Sequence, residues 1–589
     1  MTQTERPPAP SAAAARAAAA EPDSEGGFTH RQILTIIAGL MVAMFLAALD
    51  QTVVATAIRT IADDLQGYDL QAWATTAFLI TSTISTPLYG KLSDMYGRRP
   101  FYLFAIAVFI VGSALCAIST SMYELAAFRA IQGVGAGGLM SLALAILGDV
   151  VPPRQRSRYQ GYFMAVFGSS SVLGPVVGGF LAGQSSLAGL SGWRWIFLLN
   201  VPLGLIAFAV VTRVLHLPHT RRDHRIDWPG ALALVLFLVP LLIVAEQGRI
   251  WGWDSARAIS CYAVGAVGFV LFMLAERRLR DDALLPLRLF GNRSFAVASV
   301  ASVVMGAGMF GGLLLLPQYL QIVKGSSATE AGLQLIPLVA GIMTGAMTSG
   351  IAISRTGRYK LFPLVGTVFM ATALLCFGLI TSVDTSIWTL VPFMVLLGVG
   401  LGFNFQPVII AVQNAVSPRE MGVATSSVTF FRQMGGTIGT AIFLSLLFTR
   451  LPVEIGSSFR SAGLGELGAG VNVESSLSDT SKIAGLPAPV VRAFGEGFSN
   501  SIDLVFLIAA CVVAVGFFVL LFLPQLTLSD KSGIQAQQAS EHGAAAGSPV
   551  AADVARAAGA AAPTSVGPGS GPAAGDGTAG DGLAGVRRR

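Results

Sequence analysis

Charge is what this sequence has least of. Of its 589 residues, 12% are charged and 53% are apolar, against about 25% charged in an average soluble protein. So thin a polar coat cannot keep several soluble domains in water. That excludes a cytosolic enzyme, a secreted disulfide scaffold and a nucleic-acid-binding module. Cysteine is scarce too: Cys116, Cys261, Cys376 and Cys511 lie far apart inside apolar runs, with no CxxC pair. Neither a metal site nor a disulfide framework is indicated, and the four read as small packing residues. The five histidines (His30, His216, His219, His224, His542) all fall outside the apolar runs as delimited below, so a histidine proton relay is not available. Gly90-Lys91 continues with Leu92 rather than Ser or Thr, and HExxH and GxSxG are absent. ATP drive and hydrolytic chemistry are therefore not expected. Residues 1–28 are rich in Ala, Pro and Glu and lack the short apolar core of a signal peptide.

What the chain does have is long apolar runs, from Ile33 almost to Leu523. At about 20 residues per crossing they give an all-α polytopic membrane protein of fourteen helices. The expected limits are near 33–57, 70–90, 101–120, 123–148, 158–182, 193–215, 228–246, 257–276, 294–322, 329–352, 361–381, 388–415, 422–448 and 499–523. Alternate loops carry nineteen Lys and Arg, among them Lys91, Arg98, Arg99, Arg154, Arg156, Arg158 and Arg419, while the opposite loops carry five. Basic loops mark the cytoplasmic face, so both termini are expected there and the protein in the plasma membrane. The net charge of +6 belongs to these loops and is no sign of nucleic-acid binding. Residues 449–498 read as a long outward-facing loop. Residues 525–589, rich in Ala, Gly and Pro, read as a disordered cytoplasmic tail, like 1–28 at the other end.

An internal repeat organises the rest. Gly90…Gly97-Arg98 recurs in outline as Gly350…Gly357-Arg358, Gly133-Val-Gly135 as Gly398-Val-Gly400, and Pro153-Arg154 as Pro418-Arg419. The offsets are 260, 265 and 265. Three matches in order at nearly one spacing indicate two six-helix halves, 29–215 and 294–524, with two further helices inserted in 216–293. Halves of this kind suggest rocking about a central site near the midplane.

Ionised side chains inside such runs cost about 2.5–3.5 kcal/mol or more, so they face a cavity or a partner. Asp50 is the one carboxylate deep in an apolar run, and Arg129 lies at a similar expected depth, each roughly 10 Å from the outer surface at ~1.5 Å per residue. A pair at this depth can load and release a proton; the alternative is a static ion pair that holds helices together. Gln132, three residues after Arg129, shares its helical face. Arg432 and Gln433 lie at mid-depth with no carboxylate at their level. Arg432 either meets substrate or bonds backbone carbonyls, and with Asn404 these two residues are candidates for a substrate cavity. Asp503 reads as interfacial. Gly174, Pro175, Gly178 and Gly179 form a stretch that serves either close packing or a gating hinge.

Together these stretches resemble the major facilitator superfamily, specifically its fourteen-spanner drug:proton antiporters of the EmrB/QacA type. Gly90-Lys-Leu-Ser-Asp94-Met-Tyr-Gly97-Arg98-Arg99 resembles the signature between helices two and three. Arg129-Ala-Ile-Gln132-Gly133 resembles the helix-four motif linked to proton transfer. Gly174-Pro175…Gly178-Gly179 is similar to the antiporter motif, and Leu49-Asp50-Gln51-Thr52-Val53-Val54 to the drug-exporter motif. Trp193-Arg-Trp195…Asn200-Val-Pro202 and Phe431-Arg432-Gln433 resemble further marks of the subgroup. The resemblance covers about 33–523 and implies a major facilitator fold in a 6+2+6 arrangement. It implies that Asp94 and Arg98 help to latch the halves on the cytoplasmic side, asymmetrically, because Ser354 stands where the second copy would carry Asp94. The expected function is proton-coupled export of amphipathic small molecules such as antibiotics or dyes. Asp50, Arg129 and Gln132 would couple the proton, and the protein would be a monomer in the lipid bilayer with no cofactor, metal, ATP or nucleic acid. The alternatives are a dedicated exporter of a lipid, siderophore or natural product, and a non-transporting receptor or scaffold.

Overall fold

The computed structural model of the chain describes residues 30–66, 70–217, 227–280, 282–464, 487–529, 532 and 535. The tail read over 1–28, most of that over 525–589, and the middle of the 449–498 segment lie outside the described residues. The apolar runs form helices: α1 (His30–Asp64), α2 (Gln71–Tyr96), α3 (Arg98–Ile118), α4 (Met122–Val150), α5 (Pro153–Ala182), α6 (Arg194–Val214), α7 (Trp228–Trp251) and α8 (Ala256–Leu279). After them come α9 (Arg293–Gln318), α10 (Ile336–Thr356), α11 (Leu361–Ile380), α12 (Ile387–Ala415), α13 (Met421–Ser461) and α14 (Ala488–Leu521). Side-chain caps start several: Ser121, Asp227, Ser255 and Asn292 accept backbone N–H groups at the heads of α4, α7, α8 and α9, satisfying donors the helix leaves free.

Among the described residues, eleven helical segments are long and apolar enough to cross a membrane. α2 falls short in composition, being rich in Ser and Thr, while α5 qualifies as apolar only over Gly168–Ala182 and α9 only over Arg293–Met309. The hydroxyls of α2 turn back onto their own helix, as Thr81 does to Ala77 O (2.9 Å) and Thr86 to Ser82 O (2.8 Å), which suits them to apolar surroundings. The outer faces are apolar: α8 exposes Ile259, Val267, Val270 and Leu274. Exposed aromatics sit at helix ends, Tyr123 on α4, Trp228 on α7 and Trp388 on α12, as expected of a lipid interface.

The repeat has a packing counterpart. Gly133 meets the backbone of α2 at Phe78, and Gly135 that of α3, where an added Cβ would lie 2.6 Å from Ala105 O. Gly398 and Gly400 do the same in the second half, against Leu338 just inside α10 and against Gly366 of α11. The two connecting turns match as well: Gly97 has φ 101° and Gly357 has φ 69°, a region costly for any residue with a Cβ.

Several boundaries differ from the sequence expectation. α1 continues to Asp64, seven residues beyond 57, so Asp50 lies about 21 Å from its end at ~1.5 Å per residue. The short helix Ala328–Gln334 precedes α10, and α9 ends in a π turn, Tyr319–Val323. Most notably, 449–498 is not a loop throughout, because α13 runs to Ser461 and α14 starts at Ala488. The cause is a four-residue spacing: Leu447, Leu451, Ile455 and Phe459 are buried with Val490, Phe494, Phe498 and Ile502. Gly497 lets the two helices close, since a Cβ there would lie 2.5 Å from Ile455 Cα.

Candidate functional site

Five helices of the first half converge on one carboxylate. Asp50 (α1) is 1% exposed. Its Oδ2 accepts from the Arg129 guanidinium of α4 at 2.5 Å, and its Oδ1 accepts from Gln132 Nε2 of α4 at 2.9 Å and from Asn200 Nδ2 of α6 at 2.7 Å. Arg129 also donates to Gln132 Oε1 (2.7 Å) and to Ala74 O of α2 (3.3 Å), and its Cζ lies 4.1 Å from the Phe78 ring centroid. Gln132 in turn donates to Ser113 Oγ of α3 at 2.7 Å. The structure thus brings Asp50, Arg129 and Gln132 together and adds Asn200 and Ser113. Asn200 was quoted in the sequence only as part of a pattern, although an amide inside an apolar run beside Pro202 was the available signal.

The chemistry of this cluster follows from donor counting. An ionised carboxylate is acceptor-only, and here it accepts three charged or polar N–H groups. Once protonated it becomes a donor on one oxygen, and a neighbouring N–H group loses its acceptor. Opening a buried ion pair by removing one partner costs about 3–5 kcal/mol. A proton arriving at Asp50 therefore changes the tie among α1, α4 and α6 by an amount that matters to helix positions.

α5 lines the same region. Gly174 and Gly178 abut Thr52 and Thr56, two and six residues along α1 from Asp50, and Thr52 donates to Ser170 O at 3.0 Å. Pro175 and Gly179 face the second half: a Cβ on Gly332 would lie 3.2 Å from Pro175, and one on Gly179 would lie 3.6 Å from Thr329. One α5 face packs within its half and the other meets its counterpart half, so the stretch serves close packing at both seams.

At the Gly97 end a second charged cluster crosses between the halves. Arg98 pairs with Asp94 (2.5 Å) and with Asp149 (2.7 Å) and donates to Ser93 Oγ (2.6 Å). Asp94 accepts backbone N–H groups from Gly422 (3.2 Å) and Val423 (2.7 Å), the first turn of α13. A carboxylate at a helix N-terminus meets both free donors and the positive end of the helix dipole. Gly90 lies against Ser426, and Gly422 against Asp94 and Arg98. Beside them Arg156 donates to Gln413 Oε1 at 2.5 Å, and Gln413 donates to Leu144 O at 3.2 Å. In the second copy the Ser354 carbonyl accepts from Arg154 at 3.2 Å, while its hydroxyl turns back to Ile351 O at 2.8 Å. Arg156 was read from the sequence only as a loop basic residue, and Asp149 and Gln413 were not singled out there.

The second half holds a narrow crevice of about 20 Å³, lined by Ser302, Met305, Met370, Asn404, Phe405 and Arg432 among others. Asn404 is bound within its half, donating to Gly400 O (2.9 Å) and accepting from Thr367 (3.3 Å). Gln433, expected beside Arg432 in this space, is not part of its lining; its Oε1 accepts from Thr86 of α2 at 3.2 Å. Arg432 is buried at 8% exposure with its Cζ 3.7 Å from the Phe405 ring centroid, a contact worth up to about 2 kcal/mol when desolvated. Asp503 accepts from Thr381, beside the chain end of α11, and is not part of either cluster.

The Major Facilitator Superfamily family model matches residues 40–440. Multidrug resistance protein 3 of Bacillus subtilis is 34% identical over 495 residues, covering 83% of this chain and 94% of that protein. The multidrug transporter protein MdtP of the same organism is 32% identical over 546 residues, covering 89% and 99%. Among solved structures, the proton:xylose symporter XylE bound to 6-bromo-6-deoxy-D-glucose superposes with a TM-score of 0.56 at 15% identity, covering 87% of this chain and 99% of XylE.

Proposed function

This chain belongs to the major facilitator superfamily, and from that premise we propose that it is a proton-coupled exporter of amphipathic small molecules across the plasma membrane. It is a multi-pass membrane transporter and not an enzyme. In the proposed reading all fourteen helices cross the bilayer as 6+2+6, with α7 and α8 between the halves and both termini in the cytoplasm. The nineteen-to-five bias of basic residues between alternate loops supports that orientation. Relatives named as a multidrug resistance protein and a multidrug transporter, at 34% and 32% identity, support export.

The observation that carries the coupling is the Asp50 cluster: one buried carboxylate held by Arg129, Gln132 and Asn200 from two neighbouring helices. Asp50 is the proton site, Arg129 the counter-ion that competes with the proton, and Gln132 and Asn200 orient the free oxygen. The Asp94–Arg98–Asp149 cluster is the cytoplasmic latch. One proton moving down ~100 mV and one pH unit releases about 3.7 kcal/mol. That sustains a roughly 500-fold gradient of a neutral cargo at 1.36 kcal/mol per tenfold.

The test is reconstitution. Proteoliposomes with an imposed pH gradient should accumulate a dye such as ethidium, and an uncoupler should collapse that accumulation to the level of protein-free vesicles. Accumulation unchanged by the uncoupler would end the proton-coupled reading.

A further inference from the structure

Among the described residues four arginines are almost wholly buried, and three are ion-paired or hydrogen-bonded within the protein. Arg98 has Asp94 and Asp149, Arg129 has Asp50, and Arg156 has Gln413 and the carbonyls of Gly148 and Val151. Arg432 is the exception. Among the described residues no carboxylate and no hydrogen-bond acceptor is recorded for its guanidinium, which stacks on Phe405 and lines the second-half crevice. A guanidinium has five N–H donors in a planar fork and keeps its charge. The Arg432 guanidinium lines the crevice rather than being sealed in apolar packing, so it is placed to take an acceptor that arrives from outside the chain. The crevice is narrow as it stands, and its lining suits widening around the other end of such a molecule: Met305, Met309 and Met370 are flexible thioethers that repack around varied apolar shapes, and Ser302 and Asn404 add polar groups.

We infer that Arg432 is the recognition point for an anionic head group, and that the cargo class includes amphipathic organic anions such as carboxylates and sulfonates. The inference rests on the export reading above and narrows it. The fork of Arg432 receives the anion bidentately, Phe405 holds the guanidinium flat, and the methionines cover the hydrocarbon. The site also abuts the seam between the halves, because Gln433, the next residue, accepts from Thr86 of α2. An anion drawing on Arg432 therefore pulls on the helix that carries the inter-half contact. Proton and cargo sites lie in different halves, Asp50 in the first and Arg432 in the second.

The experiment uses the full-length purified protein and two matched probes, dansyl-leucine, which carries a carboxylate, and dansyl-leucinamide, which is neutral. Dansyl-leucine is expected to raise the thermal midpoint of the wild-type protein, with the amide giving little or no rise. Arg432→Gln is expected to weaken dansyl-leucine binding at least about tenfold, and Arg432→Lys to restore part of it by keeping the charge without the fork. Arg432→Gln should fold at least as well as wild type, since it removes an uncompensated charge. Equal stabilisation by both probes, or full dansyl-leucine binding by Arg432→Gln, would overturn the anion site. If Arg432→Gln does not fold, the Arg432→Lys comparison decides: dansyl-leucine affinity unchanged from wild type would count against the bidentate fork. Vesicle uptake of ethidium and its response to uncoupler is measured in parallel, so that failure of proton-driven export registers separately from failure of anion recognition.

Discussion

Asp50→Asn is expected to abolish uphill transport while leaving downhill exchange running. An amide cannot bind a transported proton, so the pH gradient loses its grip on the cycle. The donor geometry makes the effect larger. Asp50 Oδ1 accepts from both Gln132 and Asn200, and Oδ2 accepts from Arg129. An Asn side chain offers only one acceptor oxygen, so its NH₂ must face a donor on one side or the other. Arg129 also loses its counter-ion. Gradient-driven accumulation should fall about 100-fold or more, equivalent to about 2.7 kcal/mol at 1.36 kcal/mol per tenfold. Counterflow of a labelled cargo at equal pH should persist at a measurable rate. The measurement is paired: accumulation under an imposed gradient and exchange without one. Accumulation at the wild-type level would remove Asp50 from the coupling step. Loss of both activities with loss of folded protein would instead mark the cluster as structural, and Asp50→Asn combined with Arg129→Gln, which removes both charges, is the control for that.

The second large effect concerns the latch. Asp94→Ala removes the acceptor of the Gly422 and Val423 N–H groups and one of the two carboxylates on Arg98. Each buried donor left without an acceptor costs about 1–3 kcal/mol. The seam between α2 and α13 is expected to open more often, by about 30-fold for a net loss of ~2 kcal/mol. Ser426, 1% exposed and lying against Gly90, gives a reporter. In a background without the native cysteines, Ser426→Cys should react with a water-soluble thiol reagent much faster when Asp94→Ala is also present. Asp94→Asn should fall between, keeping an acceptor oxygen but losing the charge. Labelling rates that do not change with Asp94→Ala would show that the latch is held elsewhere, at Arg156–Gln413 for instance.

Much of this molecule could be read from its residues because its polar groups stand out against an apolar background. A lone Asp and a lone Arg inside hydrophobic runs are conspicuous, and Asp50 and Arg129 do meet. The paired glycines at offsets of 260 and 265 mark positions where helices touch backbone to backbone, and Gly133, Gly135, Gly398 and Gly400 do so in matching ways. What could not be read were the neutral and interfacial partners. Asn200 and Gln413 carry no charge to betray them, and Asp149 and Arg156 lie near helix ends where such residues are commonplace. The ends of α13 and α14 were missed because Gly, Ser, Glu and Arg dilute their hydropathy. The four-residue spacing of Leu447, Leu451, Ile455 and Phe459 was nonetheless present in the sequence.

The glycine seams carry one more consequence. Where a main chain rests on another main chain, there are no rotamers to exchange, so such a joint can neither slide nor swell by small steps. Each half of this protein is sewn together by joints of that kind, Gly133 and Gly135 in one and Gly398 and Gly400 in the other. The border at Gly90 and Gly422 mixes the two kinds of contact: Gly90 meets Gly422 O as well as the Ser426 side chain, and Gly422 meets the side chains of Asp94 and Arg98. The hydrogens that stand where methyls could have been thus mark which helices are held main chain to main chain.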